Sequence, residues 1–120
     1  LEFVNASRSK GLGGIIESVV LLDYGKTNNA VDIYFWGRQF AATADNAAFD
    51  PSKQDYEHQR GSVNLGTFKD TNTRSTATAT GVGLLYQCED TTLYAQLCVR
   101  GTTAYTATDD LTVIVGVVMA

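Results

Sequence analysis

The 120-residue chain has few of the residue types that enzyme sites depend on. Its single histidine, His58, lies in a polar stretch at residues 56–60. The chain has no G-x-S-x-G segment, so a Ser-His-Asp triad would have no nucleophile elbow to use. The glycines at 11–14 (GLGG) lack the G-x-G-x-x-G spacing and precede a strand pattern, which excludes a phosphate-binding helix start. We therefore predict no catalytic residue, no cofactor and no enzymatic activity.

Cysteine is also scarce, with Cys88 and Cys98 alone in the chain. The segments at 76–88 and 91–101 flank the CEDT turn and should pair as an antiparallel hairpin, so Cys88 faces Leu93 and Cys98 faces Gly83. The two Cα atoms would then lie beyond the ~7 Å limit for a disulfide. We predict two separate, reduced thiols, which suit assembly in a reducing cytoplasm. Without a C-x-x-C pair or a second histidine they offer no zinc site.

The charge balance argues against two classes of partner. Nine Lys and Arg stand against 13 Asp and Glu, for a net charge of −4, and the basic residues are scattered singly. Nucleic-acid-binding domains cluster their basic residues, so we predict no nucleic-acid partner. No apolar run approaches the ~20 residues that span a bilayer, so we predict no membrane partner.

The acidic residues do not form a recognisable metal site. Asp109 and Asp110 are adjacent, so on a strand they point to opposite faces. Asp45 and Asp50 flank a loop that lacks the calcium-loop pattern. We interpret these carboxylates as turn caps and predict no metal, with a calcium site distributed over several loops as the alternative.

Segments rich in Val, Ile, Thr, Tyr and Phe alternate with Gly, Asn and Asp turns, which predicts an all-β protein. We place strands near 15–23, 30–37, 61–68, 80–88, 92–100 and 110–119. We expect the first two to form a hairpin and the last to be a buried, nearly continuous apolar strand. Residues 49–60 predict one short surface helix, with Asp50 as its N-cap and Pro51 at its first position. Together these elements predict an antiparallel β-sandwich with jelly-roll or Greek-key connections.

The segment AVDIYFWG (30–37) has two hydrophobic faces. Side chains alternate across a strand, so Val31, Ile33 and Phe35 share one face, and Asp32, Tyr34 and Trp36 share the other. We assign the first face to the core. For the second we keep two hypotheses: contact with a neighbouring chain, or cover by the chain's own 38–50 loop. Asp32 should bind a backbone amide or an arginine, because an unpaired buried carboxylate is costly.

The apolar residues at the start of the chain recur with neither helical nor strand periodicity. Residues 1–11 mix isolated apolar residues with polar ones, so we predict an extended N-terminal arm before a single domain at 12–120. The arm would become ordered by lying across a neighbouring protomer or a capsid surface. Its apolar residues Leu1, Phe3 and Val4 join Asp32, Tyr34 and Trp36 as interface candidates.

Several segments together resemble a family of small structural proteins of tailed bacteriophages. They are ESVVLLDYGKTNNAVDIYFW (17–36), ADNAAFDPS (44–52), GVGLLYQ (81–87) and TLYAQLCVRGTTAYTATDDLTVIVGVV (92–118). The resemblance covers most of residues 16–118. It carries no catalytic residue onto any position.

The resemblance implies a capsid decoration, or cement, protein that stabilises the head by binding across capsid subunits. The implied partners are the major capsid protein and further copies of the chain, as a homotrimer. The implied location is the capsid surface of a virion assembled in a bacterial cytoplasm. The alternative is a tail or baseplate β module that binds a host surface or carbohydrate, with Tyr94, Tyr105 and Trp36 as its aromatic platform.

Overall fold

The computed structural model describes residues 1–43, 48–101 and 111–120, which form eight strands and one short helix. They are β1 (Glu2–Phe3), β2 (Gly13–Asp23), β3 (Val31–Trp36), α1 (Lys53–Glu57), β4 (Gln59–Leu65), β5 (Phe68–Asp70), β6 (Ser75–Gln87), β7 (Leu93–Val99) and β8 (Leu111–Met119). Two four-stranded antiparallel sheets, β1-β7-β3-β4 and β5-β6-β2-β8, pack as a sandwich. The predicted all-β sandwich is confirmed. No helix in the described ranges is long and apolar enough to cross a membrane.

The core lies between the two sheets and follows the alternation of the sequence. Val31, Ile33 and Phe35 of β3 are fully buried, as predicted for that face. Facing them, Val19 and Leu21 of β2 are also fully buried. Each such side chain stabilises the fold by about 1.5–3 kcal/mol relative to an exposed position.

Two predicted hairpins are wrong. Strands β2 and β3 belong to different sheets, because β2 pairs with β6 and β8 whereas β3 pairs with β4 and β7. The same holds for β6 and β7 on the two sides of the CEDT segment. In both places the connection crosses from one sheet to the other, so the apolar faces of consecutive strands meet across the core.

The connection after β2 is closed by a buried carboxylate. Asp23 Oδ2 accepts hydrogen bonds from Thr27 Oγ1 at 2.8 Å and from the Asn28 backbone N–H at 2.9 Å. Asn28 has a φ of 55°, a left-handed conformation that asparagine tolerates better than most residues. The predicted turn is therefore present, but it leads to the opposite sheet.

Both cysteines are free thiols, as predicted, although the predicted pairing was wrong. Cys98 lies opposite Asp32 of β3, not opposite Gly83. Cys88 follows β6, and its N–H donates to the Leu12 carbonyl at 2.8 Å. The thiols stay apart because β6 and β7 lie in separate sheets.

The helix is shorter than predicted and begins later. Its N-cap is Ser52, whose Oγ accepts a hydrogen bond from the Asp55 N–H at 3.1 Å. Asp50 and Pro51 therefore precede the helix. A serine hydroxyl at this position satisfies one of the free N–H groups of the first turn, which is the role we had given to Asp50.

The last strand is also different from the prediction. Strand β8 forms an edge and pairs only with β2 among the described strands. Leu111, Val113, Val115 and Val117 pack against the core, but Ile114 is 52% exposed and Val118 is 58% exposed. An apolar strand with one open face and one open edge is indistinguishable in sequence from a buried strand.

Candidate functional site

Trp36 is covered by its own chain. Its side chain has no exposed surface, and its indole N–H donates to the Asp55 carbonyl at 2.8 Å. The ring of Phe40 stacks on it at 3.8 Å, and Phe49 meets it edge-on at 6.3 Å. The segment after β3 therefore closes over this face, as in the second hypothesis above. Trp36 has no surface left to offer a neighbouring chain.

Beside Trp36, a polar cluster occupies the rest of this face. Arg100 Nε contacts Asp32 Oδ2 at 2.8 Å, and Asn64 Nδ2 donates to Asp32 Oδ1 at 2.7 Å. Another Arg100 nitrogen donates to the Tyr34 hydroxyl at 3.0 Å. The hydrogen bond from Asn64, followed by that from Arg100, lowers the pKa of Asp32. Of the two partners predicted for Asp32, a backbone amide or an arginine, the arginine is the one observed.

The N-terminal segment does not project from the domain. The Leu1 amino group donates to the Ala95 carbonyl at 2.8 Å, and Phe3 pairs with Leu93 in β7. Ala6 is buried, and its carbonyl accepts a 2.6 Å hydrogen bond from the Tyr86 hydroxyl. These contacts correct the prediction of an extended arm that lies across a neighbour. The segment packs on the sandwich of its own chain instead.

The three candidates in that segment differ in exposure. Phe3 is half-buried against Phe35, with ring centroids 6.5 Å apart, whereas Leu1 and Val4 are 56% and 68% exposed. Only Leu1 and Val4 thus remain available to a partner.

The uncovered surface lies on the other sheet. Register places Leu85, Ile15 and Val118 side by side across β6, β2 and β8, and places Val20 beside Ile114. We call these five residues the outer apolar face. Leu85 is 70% exposed, and no described segment covers the face as Phe40, Phe49 and Asp55 cover Trp36. Leu85, Ile114 and Val118 are exposed, whereas Ile15 and Val20 are half-buried, and the pair of Ser18 and Gly116 lies between the two groups. Exposed apolar side chains grouped in this way often mark an interaction surface.

The outer apolar face ends at an unprotected edge. The Ala120 N–H donates to the Gly13 carbonyl at 2.9 Å, which fixes the alternation of peptide groups along β8. Val113, Val115 and Val117 consequently direct their N–H and C=O groups away from β2, toward the edge. We call this row the β8 edge.

The other edge strands are protected against pairing with another chain, because they are short or carry charged residues. Strand β1 has two residues, β5 has three including Lys69 and Asp70, and β4 contains Arg60 and an irregularity in its pairing with β3. Strand β8 has nine residues without charge or proline. Natural edges usually carry such protection, so its absence from β8 is a feature to explain.

Sequence reasoning missed Leu85, Ile114 and Val118 as site residues. The signal was present in β8, where apolar Ile114 and Val118 occupy outward positions between inward-facing valines. We assigned that pattern to burial between two layers, because periodicity does not distinguish a buried strand from an open one.

The remaining candidates do not gather into a site. Tyr94 lies opposite Trp36 in the pairing of β7 with β3, but it is half-buried and donates its hydroxyl to Asp90 at 3.0 Å. Because Trp36 is buried, the two do not form an exposed aromatic platform. Tyr105, Asp45, Asp109 and Asp110 lie outside the described residues, as do residues 44–47 of the ADNAAFDPS segment. Within the described ranges, no group of three or more His, Cys, Asp or Glu side chains is placed to hold a metal ion.

Comparison with known proteins returned no match: no family model, no curated protein and no solved structure is similar to this chain.

Proposed function

We propose that the chain is a structural protein of a tailed-bacteriophage virion, a capsid decoration protein that stabilises the head by binding across capsid subunits. The observation that carries this proposal is the outer apolar face, which the described chain leaves uncovered. The sequence resemblance to small phage structural proteins supplies the biological setting. In this proposal the chain lies on the capsid surface, after assembly in a bacterial cytoplasm.

The outer apolar face is the part we assign to the major capsid protein. Leu85 and Val118 stand on either side of Ile15, so a partner would desolvate three adjacent strands at once. Interfaces derive most of their affinity from a few central apolar residues inside a polar rim. Exposed Glu17 and Lys69 lie on strands of this sheet and are suited to such a rim.

The β8 edge is the part we assign to a neighbouring copy in a homotrimer. Its free peptide groups would gain main-chain hydrogen bonds from another strand, and no charge on β8 opposes that pairing. Nucleic acid and membrane have no role in this proposal.

Decoration stabilises the capsid by mass action. A protein that binds assembled subunits but not dissociated ones adds roughly 2.7 kcal/mol per site at a hundredfold excess over its dissociation constant. Many copies would make the head resist internal DNA pressure.

The test uses expanded heads that lack the protein, mixed with purified wild-type chain or variants and sedimented. We expect the wild type to co-sediment and to raise the temperature at which heads release DNA. Leu85→Lys should fold but lose binding, because it puts a charge on the outer apolar face. Ser62→Lys, an exposed position on β4 of the other sheet, should bind like the wild type.

Self-association is tested separately by sedimentation velocity. Val115→Pro removes an N–H from the β8 edge and should dissociate the trimer, whereas Val115→Ala loses the same side-chain contacts and should not. Wild-type chain that leaves heads undecorated would contradict the decoration proposal. Antibody labelling of tails in micrographs would favour the tail or baseplate alternative.

A further inference from the structure

Strand β4 contains a β-bulge, which is one extra residue relative to the paired residues of β3. Phe35 pairs with Gly61 and Trp36 pairs with Gln59, so Arg60 has no opposite residue in β3. An extra residue of this kind bends a strand and changes the direction of its side chain. Here the guanidinium of Arg60 passes the Gly37 backbone, where an added Cβ would lie 3.1 Å from Arg60 Nε.

Arg60 enters a cavity of about 300 Å³ at one end of the sandwich. Arg38, from the segment after β3, and His58, from the end of α1, line the same cavity. Glu89 also lines it, and its backbone N–H donates to the Gly37 carbonyl at 2.7 Å, which fixes one wall. Three elements therefore bring three nitrogen-bearing side chains to one concave site.

The basic groups of this cavity lack partners. Arg60 Nε is buried and makes no hydrogen bond. The ion pair found among the described residues joins Arg100 and Asp32, so neither Arg38 nor Arg60 is neutralised by a described carboxylate. An oxyanion that reaches the free N–H groups of these guanidiniums would accept charge-assisted hydrogen bonds, which are roughly twice as strong as neutral ones.

We propose that this cavity binds a compact oxyanion, with the Arg60 guanidinium donating to one oxygen and Arg38 supplying the second positive charge. A guanidinium presents parallel N–H groups that match the two oxygens of a carboxylate or phosphate. Neutral or charged, His58 can donate a further hydrogen bond. Glu89 opposes the anion and limits the affinity. This inference does not depend on the proposed function.

The test follows the Arg60 Nε–Hε signal by NMR during titration of the intact chain with acetate, inorganic phosphate or chloride at constant ionic strength. We expect saturable shifts with acetate and phosphate but not with chloride. The oxyanion that binds more tightly identifies the kind of ligand. Tighter binding of acetate would indicate a protein carboxylate, and tighter binding of inorganic phosphate would indicate a phosphate group.

Variants distinguish a built site from general ion binding. Because Arg60→Gln removes the observed signal, binding to variants is followed through the Gly37 backbone amide. Arg60→Gln and Arg38→Gln should each weaken oxyanion binding about tenfold or more, the loss expected for one charge-assisted hydrogen bond. Glu89→Gln should strengthen binding, and Arg8→Gln, an exposed arginine outside the cavity, should leave it unchanged. Equal shifts with chloride, or unchanged binding by Arg60→Gln and Arg38→Gln, would overturn the proposal.

Discussion

The indole N–H of Trp36 donates to the backbone carbonyl of Asp55 at 2.8 Å. This bond joins the last residue of β3 to the short helix α1, 19 residues later in the chain. It satisfies a donor that burial of the ring would otherwise leave without a partner. The aromatic face of AVDIYFWG is therefore closed by the chain's own segment, and Trp36 belongs to the structural interior.

Trp36 should be a stability residue. We expect Trp36→Ala to lower the free energy of unfolding by about 3–5 kcal/mol, the usual cost of emptying a large buried site. Trp36→Phe should cost less, because it keeps the ring contacts and loses the hydrogen bond to Asp55. Urea unfolding measures both variants, with Tyr24→Ala as an exposed aromatic control.

Because Trp36 is the single tryptophan, its folded-state fluorescence should be blue-shifted and poorly quenched by acrylamide. Emission typical of a solvated indole would contradict the burial.

The N-terminal segment should contribute to the stability of the domain. Phe3→Ala removes contact with Phe35 and should cost about 2 kcal/mol, less than a fully buried phenylalanine. Val4→Ala, at a 68% exposed neighbour, should change stability by no more than about 0.5 kcal/mol. Thermal unfolding of the two variants gives the comparison. Equal melting temperatures of the Phe3→Ala and Val4→Ala variants would favour the prediction from the sequence, in which residues 1–11 form an arm that does not stabilise the domain.

Acid should weaken the cluster around Asp32. Hydrogen bonds from Asn64 and Arg100 lower the pKa of Asp32 in the folded chain, whereas the unfolded value is about 3.9. The carboxylate therefore adds stability that is present above the unfolded pKa and is lost as pH falls through the folded pKa. Asp32→Asn should lower the urea midpoint near neutral pH and have little effect in strong acid. Asp50→Asn, at an exposed position, is the control; an Asp32→Asn deficit that is the same at both pH values would contradict the linkage.

The two thiols should react at different rates. Cys88 has no exposed surface, and burial raises its pKa, so little thiolate is available at neutral pH. Cys98 is half-buried and should be alkylated first by iodoacetamide under native conditions. Intact mass should show two modified thiols after unfolding without reductant. Peptide mapping identifies the order, and faster labelling of Cys88 would place it outside the core.

The sequence by itself determined the local properties of the chain. Alternation along β3 identified the buried face of Val31, Ile33 and Phe35, because side-chain direction in a strand depends only on position. The spacing of β-rich segments between turn residues likewise predicted an all-β sandwich, and Pro51 in a polar segment predicted one short helix. The arginine partner of Asp32 also followed from a local rule, the cost of an unpaired carboxylate.

Tertiary structure alone decided which strands became neighbours. Backbone hydrogen bonds are the same for any pair of strands, so the sequence of β2 does not say whether β3 or β6 lies beside it. That choice depends on which arrangement covers the apolar faces of all strands together. It left β8 at an edge, with Ile114 and Val118 exposed, and put Trp36 beneath the segment that contains Asp55. It also turned Arg60 into its cavity, because the extra residue in β4 exists only relative to the partner strand.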